Sequence, residues 1–336
     1  MKTQNAVIIG YGAIGPVHAA AVSACAFAEL YGICDIDAAR LEKAEKEHDC
    51  KLFSDFDEVL RDKNTDCVHI CTPHFLHADM IEAALAAGKH VVVEKPAAMT
   101  SAEIERLRVS CRGREKEICA VLQNRFNRCV IKMKEIIASG KYGKVIGASG
   151  FLTWKRDRKY YESGAWRGIL STEGGGVVIN QAVHVLDLLE YLCGHCEEIE
   201  ASMCNRTLRG CIEAEDTAEA MLKCSGGARI IFYATNGYAA SPPFDIEVQL
   251  EGASLKYVGK RLFLSDKESF ELIETDKGAL IGKANWGGSH ERLISNFYSS
   301  LCGEEKPYTD ICDGLNAARL VTGLYSAAQS GGAVRL

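Results

Sequence analysis

No run in this 336-residue chain reaches the length of apolar sequence, about 18 residues, that a bilayer-spanning helix needs, which excludes a membrane span. A stripe of lysine and arginine is also missing. The 39 basic residues stand against 45 acidic ones, and a net charge of −6 gives no electrostatic basis for non-specific nucleic-acid binding. The opening MKTQNAVIIGYG enters an apolar strand pattern at once and leaves no room for an export signal, so a cytoplasmic protein is expected. There is no internal repeat and no low-complexity segment. Cysteine is the exception to this restraint, with 15 residues, yet they are scattered and not spaced as a disulfide framework. Cys34, Cys67, Cys71 and Cys119 lie in apolar runs, where a thiol packs as a small hydrophobe, and a reducing compartment follows. Cys193 and Cys196 form a CxxC without a second pair, and His74 and His77 form an HxxH without further ligands, so no metal site is expected.

What is present begins with residues 5–10, which read as a buried parallel strand. Gly10, Gly12 and Gly15 follow as GxGxxG, and a helical pattern opens behind them. Asp35 closes the next apolar run, 20 residues beyond Gly15. Between strand and helix, with an acid at the end of the second strand, this becomes a dinucleotide fingerprint. Gly10 permits the turn, Gly12 lets the pyrophosphate approach the backbone, and Gly15 lets helix and strand pack. Helix amides hold the phosphates. Asp35 accepts from the adenosine ribose and repels a 2′-phosphate, favouring NAD over NADP, although Arg40 lies close by in sequence. Strands and helices then alternate to residue 123, as expected of a doubly wound parallel sheet that binds ligands at its carboxyl strand ends. Thr72-Pro73, Glu94-Lys95-Pro96 and Gln123-Asn124-Arg125 fall at such ends. The full cofactor set is Gly10, Gly12, Ala13, Ile14, Gly15, Asp35, Ile36, Arg40, Thr72, Pro73, His77, Glu94, Lys95 and Gln123.

Residues 124–336 read as a second domain, following the 1–123 dinucleotide domain. A polar aromatic loop carries Trp154, Arg156, Tyr160, Trp166 and Arg167. The stretch GGGVVINQAVHVLDLLEYLC follows, with Asn180, His184, Asp187 and Tyr191 at steps of four, three and four, on one helix face. Two readings of His184 stand: a core histidine satisfied by Asp187, or a group aimed at a ligand. From 197 to 273 seven short alternating segments predict an antiparallel sheet.

GYGAIG, CTPHFLH, AAGKHVVVEKP, WRG, GGGVVINQAVHVLD and DGLNAARLVTGLYSAAQSGGAV together resemble the glucose–fructose oxidoreductase, inositol dehydrogenase and rhizopine-catabolism (Gfo/Idh/MocA) family nearly end to end. The resemblance implies an α/β protein with a doubly wound Rossmann domain and a C-terminal α+β domain built on a large open-faced, mainly antiparallel sheet, whose face serves dimer or tetramer contacts. It implies NAD(P)-dependent oxidation or reduction of sugars, sugar derivatives or cyclitols. Lys95 matches the EKP lysine between nicotinamide and substrate, and His184 the acid/base histidine. Asn180 stands where many members have Asp, and it can bond a substrate hydroxyl but cannot titrate.

Hydride transfer needs a carbinol C–H held over the nicotinamide and a group that takes the hydroxyl proton. His184 suits the second task, because an imidazole titrates near neutral pH. The positive charge of Lys95 stabilises a developing alkoxide. Substrate contacts are expected from Lys95, Arg125, Trp154, Arg156, Tyr160, Trp166, Arg167, Asn180, Gln181 and His184, with aromatic faces against a ring and arginines for a carboxylate or phosphate. Two rivals share the fold: a redox-neutral glycosidase or lyase that oxidises the sugar transiently, and a non-catalytic NAD- or sugar-sensing regulator.

Overall fold

The computed structural model describes residues 3–113, 115–267, 269–276, 289–304 and 309–336. The described chain divides into two compact units. One comprises Met1–Ala98, Ala102–Gln123 and Ala279–Leu315, and the other Met99–Ser101, Asn124–Gly278 and Asn316–Leu336, each in its described part.

In the first unit the elements run β1 (Gln4–Ile9), α1 (Gly15–Ser23), β2 (Ala28–Cys34), α2 (Ala38–Glu47), β3 (Lys51–Phe53), α3 (Phe56–Arg61), β4 (Cys67–Ile70), α4 (His77–Ala86), β5 (His90–Val93), α5 (Ser101–Ser110) and β6 (Ile118–Ala120). The strands form one sheet in the order β3-β2-β1-β4-β5-β6, and every pair is parallel. Parallel strands covered on both faces need apolar side chains on both, and Ala6, Val7, Ile8, Val91, Val92 and Val93 are accordingly fully buried. Carboxylates start two of the helices: Asp37 accepts from the Ala39 amide at 2.9 Å and Asp55 from the Asp57 amide at 3.1 Å. The later helix α9 (His290–Leu301) also belongs to this unit and packs against α1.

The second unit begins with α6 (Arg128–Ala138), β7 (Val145–Thr153) and the short α7 (Arg158–Glu162). A π-helical turn, Val178–Ala182, leads into α8 (Val183–Cys193). Then come β8 (Cys196–Cys204), β9 (Thr217–Cys224), β10 (Arg229–Thr235), β11 (Asp245–Leu250), β12 (Ser254–Val258), β13 (Arg261–Ser265) and β14 (Phe270–Thr275), followed by most of α10 (Ile311–Ser330) and β15 (Val334–Arg335). The sheet has nine strands in the order β14-β13-β12-β11-β7-β10-β9-β8-β15. All seven strands expected between 197 and 273 are present. The sheet is mainly antiparallel, as expected, and mixed where β7 enters its middle and pairs parallel with β10. Alternation puts one face inward, with Ala218, Leu222, Ile230 and Phe232 buried, and leaves Met221 and Ile231 exposed on the other. The single helix expected across residues 177–193 is interrupted, so the step from Asn180 to His184 crosses the wider π turn, and only His184, Asp187 and Tyr191 keep the α period. No helix of the described residues is long and apolar enough to cross a membrane.

Candidate active site

The three fingerprint glycines meet three different surroundings. Gly10 has φ +94°, and a Cβ there would lie 2.8 Å from the Cys71 carbonyl oxygen. At Gly15 a Cβ would lie 2.3 Å from the Gly10 oxygen, so strand end and helix start touch backbone to backbone. At Gly12 a Cβ would meet only the Arg40 guanidinium, at 3.9 Å. That position therefore faces open space, as a backbone approached by a ligand must. Ile14 caps α1 without a side-chain bond, and among the described residues no acceptor takes the amides of Gly12, Ala13 and Ile14. Unsatisfied amides at a helix start form a ready anion site. Asp35 is buried, with Oδ2 accepting from the Tyr11 amide at 2.7 Å and Oδ1 from the Asp37 amide at 2.9 Å. Arg40 lies 3.4 Å from both Asp35 and Asp37, so two carboxylates engage the guanidinium that a 2′-phosphate would need. Ile36 beside them is 92% exposed, an apolar side chain where an adenine ring would find cover. These residues fit a dinucleotide without a 2′-phosphate.

The other carboxyl strand ends of this unit are braced together. His77 is fully buried, its ring nitrogens 2.9 Å from the Thr72 carbonyl oxygen and 2.8 Å from that of Pro96. It joins the loop after β4 to the loop after β5, and burial holds its pKa below the ordinary imidazole value. Glu94 is buried and Lys95 half-buried directly beyond β5, with the Lys95 amide donating to Glu94 Oε2 at 3.2 Å. Gln123 is buried after β6.

In the second unit most of the expected substrate residues collect around one phenol. The Tyr160 hydroxyl oxygen lies 2.7 Å from Arg167 Nη1, 3.0 Å from Gln181 Nε2 and 3.5 Å from Asn180 Nδ2. The guanidinium carbons of Arg156 and Arg167 lie 4.9 and 4.6 Å from the centre of the Tyr160 ring; Arg156 also faces Trp154, and Arg167 faces Trp166. Trp154 itself is buried and donates to the Pro242 carbonyl at 2.8 Å. From Gly175 to Leu189 every residue is buried except Asn180 and His184. Arg125 stands apart from this group: its Nη2 lies 2.6 Å from Asp187 Oδ1, and its Nε reaches both carboxylate oxygens.

Several polar residues around these sites escaped the sequence reading. Glu173 is buried and accepts from the Asn180 side chain and the Gly168 amide. Glu215 takes the amides of Gly176 and Val178 and the hydroxyl of Tyr325. Its burial pushes the carboxyl pKa up to about 7, against these donors. The triple glycine answers to neighbours within the unit: a Cβ at Gly175 would strike the Tyr325 hydroxyl, and one at Gly176 the Glu215 backbone. Glu173 directly before the glycines was the one signal available, the first acid after Glu162.

Residues 4–122 match the model of the oxidoreductase family with an NAD-binding Rossmann fold, and residues 130–256 match the GFO/IDH/MocA C-terminal domain. Myo-inositol 2-dehydrogenase of Thermotoga maritima is 26% identical over 278 residues, covering 80% of this chain and 78% of that protein. The crystal structure of the WlbA dehydrogenase from Bordetella pertussis, in complex with NADH and UDP-GlcNAcA, is 28% identical with a TM-score of 0.87, covering 100% of this chain and 99% of that one. Its counterpart from Chromobactrium violaceum, also with NADH and UDP-GlcNAcA, is 26% identical with the same TM-score of 0.87 and covers 100% and 96%. The chain belongs to the Gfo/Idh/MocA oxidoreductase family, as an NAD-binding dehydrogenase of CH–OH groups.

Proposed function

We propose that this dehydrogenase acts on a sugar, sugar derivative or cyclitol that carries an acidic group, with Lys95, His184 and Asn180 as its working polar side chains. The observation that carries the reading is the access of Asn180 and His184 along a stretch otherwise buried from Gly175 to Leu189. A histidine kept only for core packing would be covered like its neighbours. NAD, when bound, supplies the hydride acceptor. His184 takes the hydroxyl proton in oxidation and returns it in reduction, while the Lys95 ammonium donates to the same substrate oxygen and lowers the cost of negative charge there. Asn180, held by Glu173, offers a fixed amide to a substrate hydroxyl.

The acidic group follows from Arg156 and Arg167. Both guanidiniums face the Tyr160 ring, and among the described residues neither has a carboxylate partner. Two like charges beside one ring call for an anion, and a carboxylate or phosphate on the substrate would supply it. The flat faces of Tyr160 and Trp166 suit the apolar side of a pyranose or cyclitol ring. Further proposals concern the setting. All 15 cysteines are free thiols, which supports a reducing cytoplasm. Phe151, Met221 and Ile231 lie exposed on neighbouring strands β7, β9 and β10, an apolar sheet face that supports a homodimer or homotetramer.

The test is a screen of hexoses, hexuronates, hexose phosphates, inositols and UDP-GlcNAcA, followed by nicotinamide absorbance. Turnover is expected with an acidic ring substrate at lower KM than with its neutral counterpart. A substrate consumed without net change in nicotinamide absorbance would move the protein to the redox-neutral reading.

A further inference from the structure

The core of the first unit holds five polar side chains where hydrocarbon would be expected. His18 on α1, His69 on β4 and Tyr298 on α9 are fully buried, and Glu94 and His290 are 7% and 4% exposed. Their contacts form a line. The Tyr298 hydroxyl lies 2.7 Å from His69 Nε2, His69 Nδ1 lies 2.9 Å from His18 Nδ1, and His18 Nε2 lies 3.1 Å from Glu94 Oε1. His290 Nε2 reaches the same Glu94 oxygen at 3.5 Å.

Burial lowers the pKa of His18 and of His69, so both rings are neutral. Burial alone would raise Glu94, but the bonds from His18 and His290 hold it well below the usual carboxylate range, and it stays ionised. A neutral imidazole carries one N–H. Because the charged carboxylate only accepts, His18 must donate from Nε2 and accept at Nδ1. His69 then carries its proton on Nδ1 and accepts the Tyr298 hydroxyl at Nε2. One arrangement of protons satisfies the whole line, and all of it runs toward Glu94. Among the described residues Glu94 also interacts electrostatically with Cys71, Cys119 and His77. Burial keeps both thiols protonated and His77 neutral.

We infer that this relay is a positioning device for Lys95: His18 and His290 fix one oxygen of Glu94, and the other oxygen, 3.2 Å from the Lys95 amide, fixes the peptide that carries the ammonium. The inference rests on the catalytic reading of Lys95. Apolar side chains would fill the same space at no cost in unpaired groups, so packing alone does not account for the line. The ligand atoms of His18, Glu94 and His290 lie within 4.8 Å of one another, a spacing that a divalent cation would also accept, and the experiment separates the two.

Kinetics of His18→Leu, His18→Gln and Glu94→Gln are measured beside Lys95→Ala, from pH 5 to 9. His18→Leu deprives a buried carboxylate of a donor, so the pKa of Glu94 rises and protonation removes its hold on the Lys95 peptide. Turnover should fall about tenfold or more near neutral pH and recover as the pH rises, with NAD affinity little changed. His18→Gln, which still donates to Oε1, should recover most of that loss. Glu94→Gln, isosteric and therefore the variant to rely on if His18→Leu does not fold, should lose turnover without the pH dependence. Wild-type turnover in Glu94→Gln beside an inactive Lys95→Ala would overturn the relay alone, whereas an active Lys95→Ala would overturn the catalytic reading beneath it. Equal damage in His18→Gln and His18→Leu, or one equivalent of metal per purified chain, would also overturn the relay.

Discussion

Asp187→Ala should take a carboxylate away from a buried guanidinium of the second unit. Arg125 is 8% exposed and Asp187 2% exposed, and the pair shares three hydrogen bonds, the shortest 2.6 Å. The planar fork of Arg125 also lies 4.6 Å from the centre of the Tyr191 ring, so the charge cannot swing to water without leaving that face. Breaking such a pair from one side costs about 3–5 kcal/mol, because the remaining charge keeps its desolvation and loses the carboxylate that offsets it. Against a typical stability of about 5–15 kcal/mol, that is a large share, worth a fall in Tm of roughly 6–20 °C for a unit of this size. Replacing both residues, Arg125→Met with Asp187→Leu, removes both charges and should recover most of the loss. Urea unfolding of the two single variants and the double variant gives the coupling directly. The double variant also decides what Arg125 is for. If the fold returns and KM stays at its wild-type value, Arg125 holds α8 and does not touch substrate. A loss under about 1 kcal/mol in Asp187→Ala, or a double variant no better than either single one, would refute the argument from burial.

The remaining expectations concern cofactor and pH. Gly12→Val places a side chain in open space, so Tm should hold while the Kd for NAD rises about tenfold or more; a fall in Tm with unchanged Kd would contradict the assignment. Wild-type protein should bind NAD about tenfold tighter than NADP, and Asp35→Ser should narrow that gap by releasing Arg40; equal affinities in the wild type would remove the role given to Asp35. Glu215, with its pKa raised to about 7, stabilises the fold in its protonated form. That contribution is complete below the unfolded value near 4.5 and is lost as the pH climbs through about 7, a span worth roughly 3 kcal/mol. Glu215→Gln should therefore unfold with a flatter dependence on pH between 5 and 8, and parallel wild-type and variant curves would show that Glu215 does not titrate there.

Local signals carried much of this molecule. The fingerprint glycines, Asp35 and the strand-end loops stand on consecutive elements whose apolar runs and turn residues are short-range facts, so the parallel sheet could be read off directly. The π turn at Val178–Ala182 could not, since periodicity assumes the α repeat that the turn breaks. The parallel entry of β7 beside β10 was hidden for another reason. Pairing partners some 80 residues apart leave no mark on either strand, both of which alternate in the same way. His18 and His69 were invisible because a histidine inside an apolar helix or strand looks the same whether it is packed or wired, and only coordinates show which atoms face one another.

Position 180 shows how far a residue-by-residue resemblance reaches. The family pattern places a carboxylate there in many members, and this chain has an amide, which read alone suggests a weakened site. The fold brings Glu173, seven residues earlier, against that amide as a buried acceptor, and Tyr160 and Gln181 complete the same corner. A carboxylate is therefore still present, one hydrogen bond removed from the position where the pattern looks for it. Asn180 donates to Glu173 through its Nδ2, the only end of the amide that can donate to a carboxylate. An Asp at 180 would set a second carboxylate against the buried one of Glu173, and one of them would have to hold a proton. The amide is thus the residue type that Glu173 permits, and the two positions are better read as one unit than as a loss at one of them.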